Sequence, residues 1–253
     1  MIVLKLGGSV VTEKDRPETL DGDALERAAD AIAAALETGE GSGGDTASDL
    51  VIVHGGGSFG HHNASEHGVS TTDGTHDASA VADIHGAMKT LNQFVLGRLH
   101  ARDVNAVPVH PFSTASRDEA GQLEFPTTQL EAMLEEGFVP VLHGDLIAHT
   151  GTGATVVSGD ELVATLADEL EADRIGLCST VPGVLDETDT VIDEIAAFED
   201  VADVLGESDT TDVTGGMAAK VRALLELEPE ASIFGLDDLE RFLAGERTGT
   251  TIT

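Results

Sequence analysis

The lysines of this chain are few, and their positions give the first indication of chemistry. Of the four lysines, Lys5 and Lys14 flank the Gly7-Gly8 pair, and Lys220 follows a second glycine pair. The chain has 47 acidic residues against 13 lysines and arginines, so it otherwise avoids lysine. Cations retained beside flexible, amide-rich backbone predict a polyphosphate ligand.

The first glycine segment is Lys5-Leu6-Gly7-Gly8-Ser9, at the end of an apolar run. Two glycines after a strand let the backbone approach a ligand closely and direct N–H groups at phosphate oxygens. The segment is not a Walker A loop, which ends in Gly-Lys followed by Ser or Thr. Many ordinary strand-to-helix turns are also Gly-Gly, so the segment alone allows either interpretation.

The second glycine segment begins at His54 and reads HGGGSFGHH. Each glycine costs backbone entropy, and an anion-binding nest that includes Gly56 and Gly57 explains why so many are present. A tight structural turn is the alternative, and it accounts for only one or two of them. We expect an amide-rich loop that ends at His61, where either His61 or His62 could donate a hydrogen bond to a phosphate. A metal site formed with His54 is the weaker interpretation, since adjacent histidines tend to point apart and no nearby carboxylate or cysteine completes a ligand set.

Two further segments open predicted helices. Ser158 and Asp160 are ordinary N-cap residue types, although a carboxylate at Asp160 could also hold a catalytic lysine or Mg²⁺. Thr214 caps a second helical pattern that runs through Gly216 to Lys220. A capped helix with a surface lysine is the simpler interpretation, but the scarcity of lysine favours phosphate binding at this helix N-terminus.

The elements that must position these residues alternate between strands and helices. This alternation predicts a three-layer α/β/α sandwich with a central, mainly parallel sheet. We expect one compact unit, with an acceptor-binding lobe at 1–145 and a nucleotide-binding lobe at 146–253. Strands are predicted at 2–6, 50–54, 105–109, 138–142, 174–178, 231–235 and 250–252, a hairpin at 146–157, and helices at 22–37, 78–102, 127–136, 158–171, near 214 onward and 237–244.

Composition excludes several classes of function. The formal net charge of −34 repels nucleic acid and anionic membranes, and it is spread along the whole chain. We interpret it as adaptation to a salt-rich, halophilic cytoplasm. The single cysteine, Cys178, excludes an internal disulfide and fits a small buried residue better than a catalytic thiol. No apolar run reaches the ~20 residues that a membrane span needs, so we expect a cytoplasmic protein.

The order of these segments resembles the amino acid kinase superfamily over essentially the whole chain. KLGGSVVTEK followed by GGGSFGH is similar to the isopentenyl phosphate kinases in particular, and the histidine after the glycines is the discriminating residue. A related kinase that phosphorylates the phosphonate fosfomycin shares that histidine. The family's LTDVDG-like nucleotide segment is replaced here by CSTVPG at 178–183, which leaves the nucleotide preference open.

The resemblance implies transfer of the γ-phosphoryl group of ATP to isopentenyl phosphate. Lys5 and Lys220 would hold the β- and γ-phosphates, and Lys14 would stabilise charge on the transferring group. His61 would bind the acceptor phosphate, and Asp160 would orient the lysines. A kinase for another small phosphate or phosphonate is the alternative, and a non-catalytic nucleotide-binding regulator is disfavoured because the acceptor segment and Lys14 are both present.

The remaining implied contacts come mainly from the backbone. Mg²⁺ is expected to arrive with ATP rather than in a protein-held metal site, and a homodimer is expected. Ile84 and Met88 are candidates for an apolar pocket around the acceptor tail, or ordinary core. The expected ATP-binding residues are Lys5, Leu6, Gly7, Gly8, Ser9, Gly57, Asp160, Gly216 and Lys220, and the expected acceptor-binding residues are Gly56, His61 and Gly144.

Overall fold

The computed structural model describes residues 1–38, 49–205 and 216–253. Its strands are, in chain order, β1 (Ile2–Leu6), β2 (Leu50–His54), β3 (Ala106–Pro108), β4 (Ser116–Arg117), β5 (Leu123–Glu124), β6 (Val139–His143), β7 (Asp145–His149), β8 (Gly153–Val157), β9 (Arg174–Ser179), β10 (Glu194–Ile195), β11 (Glu230–Gly235) and β12 (Thr250–Ile252).

The helices lie between these strands. In chain order they are α1 (Gly8–Val11), α2 (Gly22–Thr38), α3 (Gly57–Glu66), α4 (Ala78–His100), α5 (Thr128–Glu135), α6 (Gly159–Glu169), α7 (Ala202–Leu205), α8 (Gly216–Leu225) and α9 (Leu239–Leu243). In the described part of the chain, no helix is both long and apolar enough to cross a membrane.

The larger sheet has eight strands in the order β10-β12-β11-β9-β1-β2-β6-β3. Its pairings are parallel except that of β11 with β12. The central strands are buried on both faces, as expected for near-continuous apolar runs such as IVLKL and LVIVH. The predicted sandwich with a mainly parallel central sheet is therefore confirmed.

Alternate residues of each strand face the two helical layers. Leu4 and Leu6 of β1 pack into the apolar cluster formed with α2, α4 and α9, whereas Val3 packs into the cluster formed with α5, α6 and α8. Lys5 shares the side of Val3, because side chains two apart in a strand lie on one face. Lys5 is thereby directed toward α6.

A smaller sheet, absent from the sequence prediction, has the strand order β5-β4-β7-β8. Its hairpin of β7 and β8 was predicted at 146–157, but β4 and β5 are two-residue strands with too few side chains to show a period. Helix α3 was also missed. It begins inside the glycine segment, at Gly57 with φ +49°, where glycine content argues against helix. The boundary between lobes at residue 145 stays a prediction.

Candidate active site

Glycine backbone from β1 and β2 meets at the carboxyl ends of these neighbouring strands. A Cβ on Gly8 would overlap the Gly57 nitrogen and lie 2.6 Å from Gly57 Cα, and one on Gly55 would lie 3.0 Å from Gly8 Cα. The two glycine segments predicted to bind phosphate are therefore in direct backbone contact. Side chains at these positions would force the two segments apart, so glycine is required for their close approach.

Thr12 fastens the two glycine segments together. Its Oγ1 donates a hydrogen bond to Gly8 O at 2.8 Å and accepts one from Ser58 N–H at 2.9 Å. The side chain is 1% exposed. Sequence reasoning missed Thr12, because nothing in KLGGSVVT distinguishes a bridging threonine from an ordinary one.

Lys5 and Asp160 form an ion pair at the floor of this junction. Lys5 Nζ lies 2.6 Å from Asp160 Oδ1, and their side chains are 9% and 18% exposed. Asp160 stands in the first turn of α6, which Ser158 caps by accepting a hydrogen bond from Glu161 N–H. Strand alternation and the α6 cap together bring the cation and the carboxylate to one place. A paired, partly buried ammonium of this kind can hold a phosphate oxygen.

Gly144 and Gly159 also lie close to Gly56 and Lys5 at this junction of glycine backbone. Gly144 N–H donates to His54 O at 3.0 Å. A Cβ on Gly144 would lie 3.4 Å from Gly159 N and 3.7 Å from Gly56 N, and one on Gly159 would lie 3.2 Å from Lys5 Cε. The N-termini of α3 and α6 thus approach the same space, where their N–H groups and dipoles favour an anion.

Lys14 lies in the exposed loop between α1 and α2, and we define this loop together with the exposed His61 as the rim of the candidate site. It belongs to a loop closed by the bridge between Thr12 and Leu20 and by the hydrogen bond from Glu13 N to Thr19 O, 2.9 Å long. The Ser58 hydroxyl contacts the backbone of Thr19, which ties this loop to the start of α3. The Lys14 side chain itself is exposed.

His61 lies in the second turn of α3, not at the end of a loop as the sequence interpretation placed it. The difference arises because the glycine segment closes into a helix. His61 is exposed. His62 Nε2 lies 3.7 Å from Glu66 Oε1, one turn further along the same helix. The two histidines therefore occupy different faces of α3.

Gly216 is the first residue of α8 and Lys220 lies one turn further along it; both are half-buried. The predicted cap Thr214 lies outside the described residues, as does the rest of 206–215. The structure thus brings Lys5, Asp160 and the glycines of β1, β2 and β6 together. That Lys14, His61 and Lys220 act at the same place stays a prediction.

A group of buried histidines was missed by sequence reasoning. His54 and His143 end the neighbouring strands β2 and β6, are paired in register, and stack with ring centroids 5.5 Å apart. His143 Nε2 lies 2.9 Å from His110 Nδ1. His85 on α4 contacts the Asp145 carboxylate at 2.9 Å. The repeated pattern of strand, histidine and glycine in LVIVHG and PVLHG could have drawn attention to the first two.

Burial controls the protonation of this group. It lowers the pKa of His54 to about 4 and the pKa of His143 well below its usual range. Burial also lowers the pKa of His110, with a further contribution from the charge of His85. Burial raises the pKa of Asp145, and the hydrogen bond from His85 opposes that rise. His54 and His143 are neutral near pH 7.

The residues proposed for the acceptor tail belong to two small apolar clusters. Ile84 packs with Val69 and Leu146, with partly buried Phe112 beside them. Met88 packs with Phe59 and Leu91, and its Sδ would lie 3.6 Å from a Cβ on Gly56. The Met88 cluster thus adjoins Gly56 in the glycine junction.

Cysteine chemistry does not contribute to the site. Burial raises the pKa of the Cys178 thiol to about 12, so it is an unreactive core residue near pH 7. Within residues 1–38, 49–205 and 216–253, no group of three or more His, Cys, Asp or Glu side chains is arranged to hold a metal ion.

Comparison with known proteins identifies relatives along the full chain. The sequence matches the amino acid kinase family over residues 1–232. It is 59% identical to the isopentenyl phosphate kinase of Haloferax volcanii over 252 residues, covering 100% of this chain and 98% of that protein. It is 32% identical to the isopentenyl phosphate kinase of Methanocaldococcus jannaschii, again covering 100% and 98%.

Solved structures show the same relationship. An X-ray structure of an isopentenyl phosphate kinase superposes with a TM-score of 0.81 at 31% identity, and the match covers 100% of both chains. The similarity thus includes both glycine segments and the whole of the larger sheet.

Proposed function

The chain belongs to the amino acid kinase family, and we propose that it transfers the γ-phosphoryl group of ATP to isopentenyl phosphate, forming isopentenyl diphosphate for isoprenoid synthesis. A new bond joins an acceptor phosphate oxygen to the γ-phosphorus, and the bond from the γ-phosphorus to the β,γ-bridging oxygen breaks. ADP leaves with the electron pair of that bond. The protein's task in such a transfer is to position two phosphorylated molecules and to offset their charge.

The observation that carries this proposal is the contact between the two glycine segments. Gly8 and Gly57 are too close for any side chain, and the Lys5–Asp160 ion pair lies beside them. Two polyphosphate-binding backbones in contact allow a donor phosphate and an acceptor phosphate to meet. The relatives named isopentenyl phosphate kinase, similar over the full length, supply the identity of the acceptor.

The residues divide between the two substrates. Gly56, Gly144 and His61 are proposed to hold the acceptor phosphate. Lys14 is proposed to stabilise charge on the transferring group from the loop that Ser58 fastens to α3. The proposed ATP-binding residues are Lys5, Leu6, Gly7, Gly8, Ser9, Gly57, Asp160, Gly216 and Lys220.

The acceptor tail is proposed to enter the apolar region beside Gly56. Ile84 and Met88 are 2% and 1% exposed, so a C5 tail would meet them only at the edge of their clusters. The partly buried side chains of Val81, Phe112 and Val156 border the same cluster as Ile84. Hydrocarbon against these side chains is removed from water, which favours an acceptor with an apolar tail.

Mg²⁺ is proposed to enter with ATP, where it would offset the charge of the phosphates. The cradle of glycines fits a nucleotide polyphosphate, because it offers backbone N–H groups with no side chain in the way. The described residues present Asp160 at this point, and that carboxylate is already paired with Lys5. These residues fit a cation that is held mainly by the nucleotide.

A panel of acceptors with ATP and Mg²⁺ tests the proposal. Isopentenyl phosphate, alkyl monophosphates of other lengths, fosfomycin and isopentenol are each incubated with enzyme, and products are identified by ³¹P NMR. We expect isopentenyl diphosphate, with the highest kcat/KM for isopentenyl phosphate and none for isopentenol. Preferential phosphorylation of fosfomycin would replace this function by the phosphonate kinase alternative. Binding of ATP with no transfer to any acceptor would indicate a non-catalytic regulator.

Oligomeric state, cellular location and the roles of the two lobes complete the proposal. We propose a homodimer, which the family resemblance supports and which sedimentation at several protein concentrations would test. We propose a cytoplasmic location, in agreement with the need for ATP and with a lone buried cysteine in place of a disulfide framework. We propose that 1–145 chiefly binds the acceptor and that 146–253 chiefly binds the nucleotide.

A further inference from the structure

The buried histidines at the ends of β2 and β6 stack on each other, and each has its own hydrogen-bond partners; the proposed transfer leaves both without a role. His54 and His143 are 0% exposed, in register with each other and adjacent to the glycines that border the site. Each is followed directly by a glycine whose carbonyl it contacts. His54 Nδ1 lies 3.1 Å from Gly55 O, and His143 Nδ1 lies 2.9 Å from Gly144 O.

These contacts fix the tautomer of both rings. A carbonyl oxygen only accepts, so Nδ1 carries the proton in each ring. Both rings are neutral near pH 7, because burial lowers their pKa values. Each Nε2 is therefore an acceptor. His110 Nδ1–H donates to His143 Nε2 at 2.9 Å.

Asn92 on α4 is the hydrogen-bond partner of the other ring nitrogen of His54, Nε2. Its side-chain amide lies 3.2 Å from His54 Nε2, which requires a donor. Amide oxygen and nitrogen are told apart by their hydrogen bonds, so we assign the NH₂ group of Asn92 to the side facing Nε2. This assignment also gives a partner to an Nδ2 that otherwise has none within the described residues.

The consequence for the site follows from the planar trans peptide. The C=O and N–H of one peptide group point in opposite directions, and the described backbone contains no cis peptide. Because His54 holds Gly55 O inward, the N–H of Gly56 in the same peptide group points away from the ring. Gly144, whose own N–H donates to His54 O, borders the same peptide group, since a Cβ on Gly144 would lie 3.7 Å from Gly56 N.

We propose that His54, backed by Asn92, is a positioning residue that directs the Gly56 amide at the acceptor phosphate. The ring neither touches substrate nor transfers a proton. Glycine has the widest choice of backbone conformations, so an unsupported Gly55-Gly56 peptide could rotate and turn its N–H away. The neutral His54 ring removes that freedom, and it stacks on His143, which contacts Gly144 O in the same way. This inference rests on the proposed function, since it assumes that a phosphate occupies the site.

Kinetics of paired variants test the inference. His54→Leu removes the donor to Gly55 O, whereas His54→Asn keeps an N–H near the position of Nδ1. We expect His54→Leu to lower kcat/KM for isopentenyl phosphate by roughly 10- to 100-fold, mainly through KM, with the KM for ATP changed less than about threefold. His54→Asn should recover most of the loss. His100→Leu is the matched control, because His100 also bonds a carbonyl, Ala106 O at 2.7 Å, at the far end of α4.

Several results would overturn the inference. Equal changes in the KM values for ATP and isopentenyl phosphate would assign His54 a general structural role. So would a lower melting temperature with unchanged kinetics of the folded enzyme. If wild-type enzyme does not phosphorylate isopentenyl phosphate at all, the proposed function fails as well. Activity of wild type with no change in His54→Leu overturns the positioning role alone.

A measurement on the wild-type protein keeps the test independent of how the variants fold. Protein labelled with ¹⁵N-glycine is titrated with isopentenyl phosphate, and the amide resonances are assigned by glycine substitution. We expect the Gly56 resonance to shift more than that of Gly22 at the start of α2. A Gly56 amide that does not respond at saturating isopentenyl phosphate would contradict the inference.

Discussion

The interior of the site and its rim are built in different ways. In the interior, Gly8 and Gly57 touch, Thr12 bridges them, and Lys5 pairs with Asp160. On the rim, Lys14 and His61 carry their charge or hydrogen-bonding groups on exposed side chains. The interior is fixed by the same contacts that hold the sheet and helices together, whereas the rim residues depend little on the core.

The two regions should therefore respond differently to amino-acid substitution. A substitution in the interior should act on stability and on both substrates, because the backbone that packs the fold is also the backbone proposed to bind the phosphates. A substitution on the rim acts on one step or one substrate, because exposed side chains contribute little to stability. The predictions below test this separation, beginning with the largest expected effect.

Gly57→Ala should be the most damaging change. Gly57 has φ +49°, and a Cβ there would overlap Thr12 Oγ1 and lie 2.7 Å from Gly8 O. Left-handed backbone and overpacking together should lower the free energy of unfolding by about 2–5 kcal/mol. Displacing amides that face both phosphates should lower kcat/KM more than about 1000-fold for each substrate. Urea unfolding and steady-state kinetics measure the two effects.

Gly86→Ala on α4 is the control for that change. A Cβ at Gly86 meets nothing within 4 Å, and alanine favours helix over glycine by about 1 kcal/mol. We therefore expect a small stabilisation with unchanged kinetics. A Gly57→Ala protein as stable and active as wild type would show that the interior is not fixed by this contact.

Lys14→Ala should leave stability unchanged and lower kcat by about 100- to 1000-fold, with a much smaller rise in the KM for ATP. The reason is that an interaction made chiefly in the transition state affects kcat and kcat/KM alike. Arg16→Ala, a change in the same exposed loop, is the matched control and should be mild. If Lys14→Ala loses ATP binding but keeps kcat, Lys14 belongs to ground-state nucleotide binding.

Acid should destabilise the interior through its neutral histidines. The unfolded chain binds a proton at His54 near the ordinary value of 6.5, whereas the folded protein does so only near about 4. The unfolded state thus holds more protons between these values, and stability should fall as pH falls through this window, by roughly 3 kcal/mol at most from His54. His143 acts in the same direction, and the raised pKa of Asp145 acts in the opposite one.

Urea unfolding of wild type and His54→Leu between pH 4 and 6.5 at constant KCl isolates this contribution. The stability difference between the two proteins should change with pH across the window. Parallel curves for wild type and His54→Leu would exclude the buried proton site.

The acidic surface should show the smallest effect per residue, although it involves many residues. The net charge of −34 repels itself over a screening length of about 10 Å at ~0.1 M salt and about 3 Å at ~1 M. We propose halophilic behaviour, in which KCl raises the melting temperature and supports activity. Thermal melts from 0.1 M to molar KCl provide the measurement, and an unchanged midpoint would contradict the proposal.

Sequence reasoning predicted the fold well because its signals are local. Apolar runs and helical spacing lie within single elements. The position of Lys5 beside Gly7 and Gly8 could likewise be seen within one segment of five residues, 5–9. The cluster of buried His54 and His143 with partly buried His110 could not be predicted in the same way. It depends on the pairing register of β2 with β6 and on which face of each strand meets α4, and both are set by contacts distant in sequence.

Local propensity also misled at α3. Three glycines and a serine disfavour helix, and sequence reasoning therefore expected a loop that ends at His61. Contacts with Thr12 and Gly8 hold Gly57 in a left-handed conformation from which the helix starts. Tertiary packing thus decided both the helix and the direction of the following histidines.

The central claim is that His61, on the rim of this site, binds the phosphate group of the acceptor. Kinetics of His61 and His62 variants test it most directly. A hydrogen bond to a charged phosphate contributes about 1.5–3 kcal/mol. His61→Ala should therefore lower kcat/KM for isopentenyl phosphate by roughly 10- to 100-fold or more, with little change in ATP binding. His61→Asn or His61→Gln, which keep a donor, should recover part of the loss. His62→Ala should be mild, because His62 faces Glu66 on α3. A crippled His62→Ala enzyme beside a nearly unaffected His61→Ala enzyme would contradict the account.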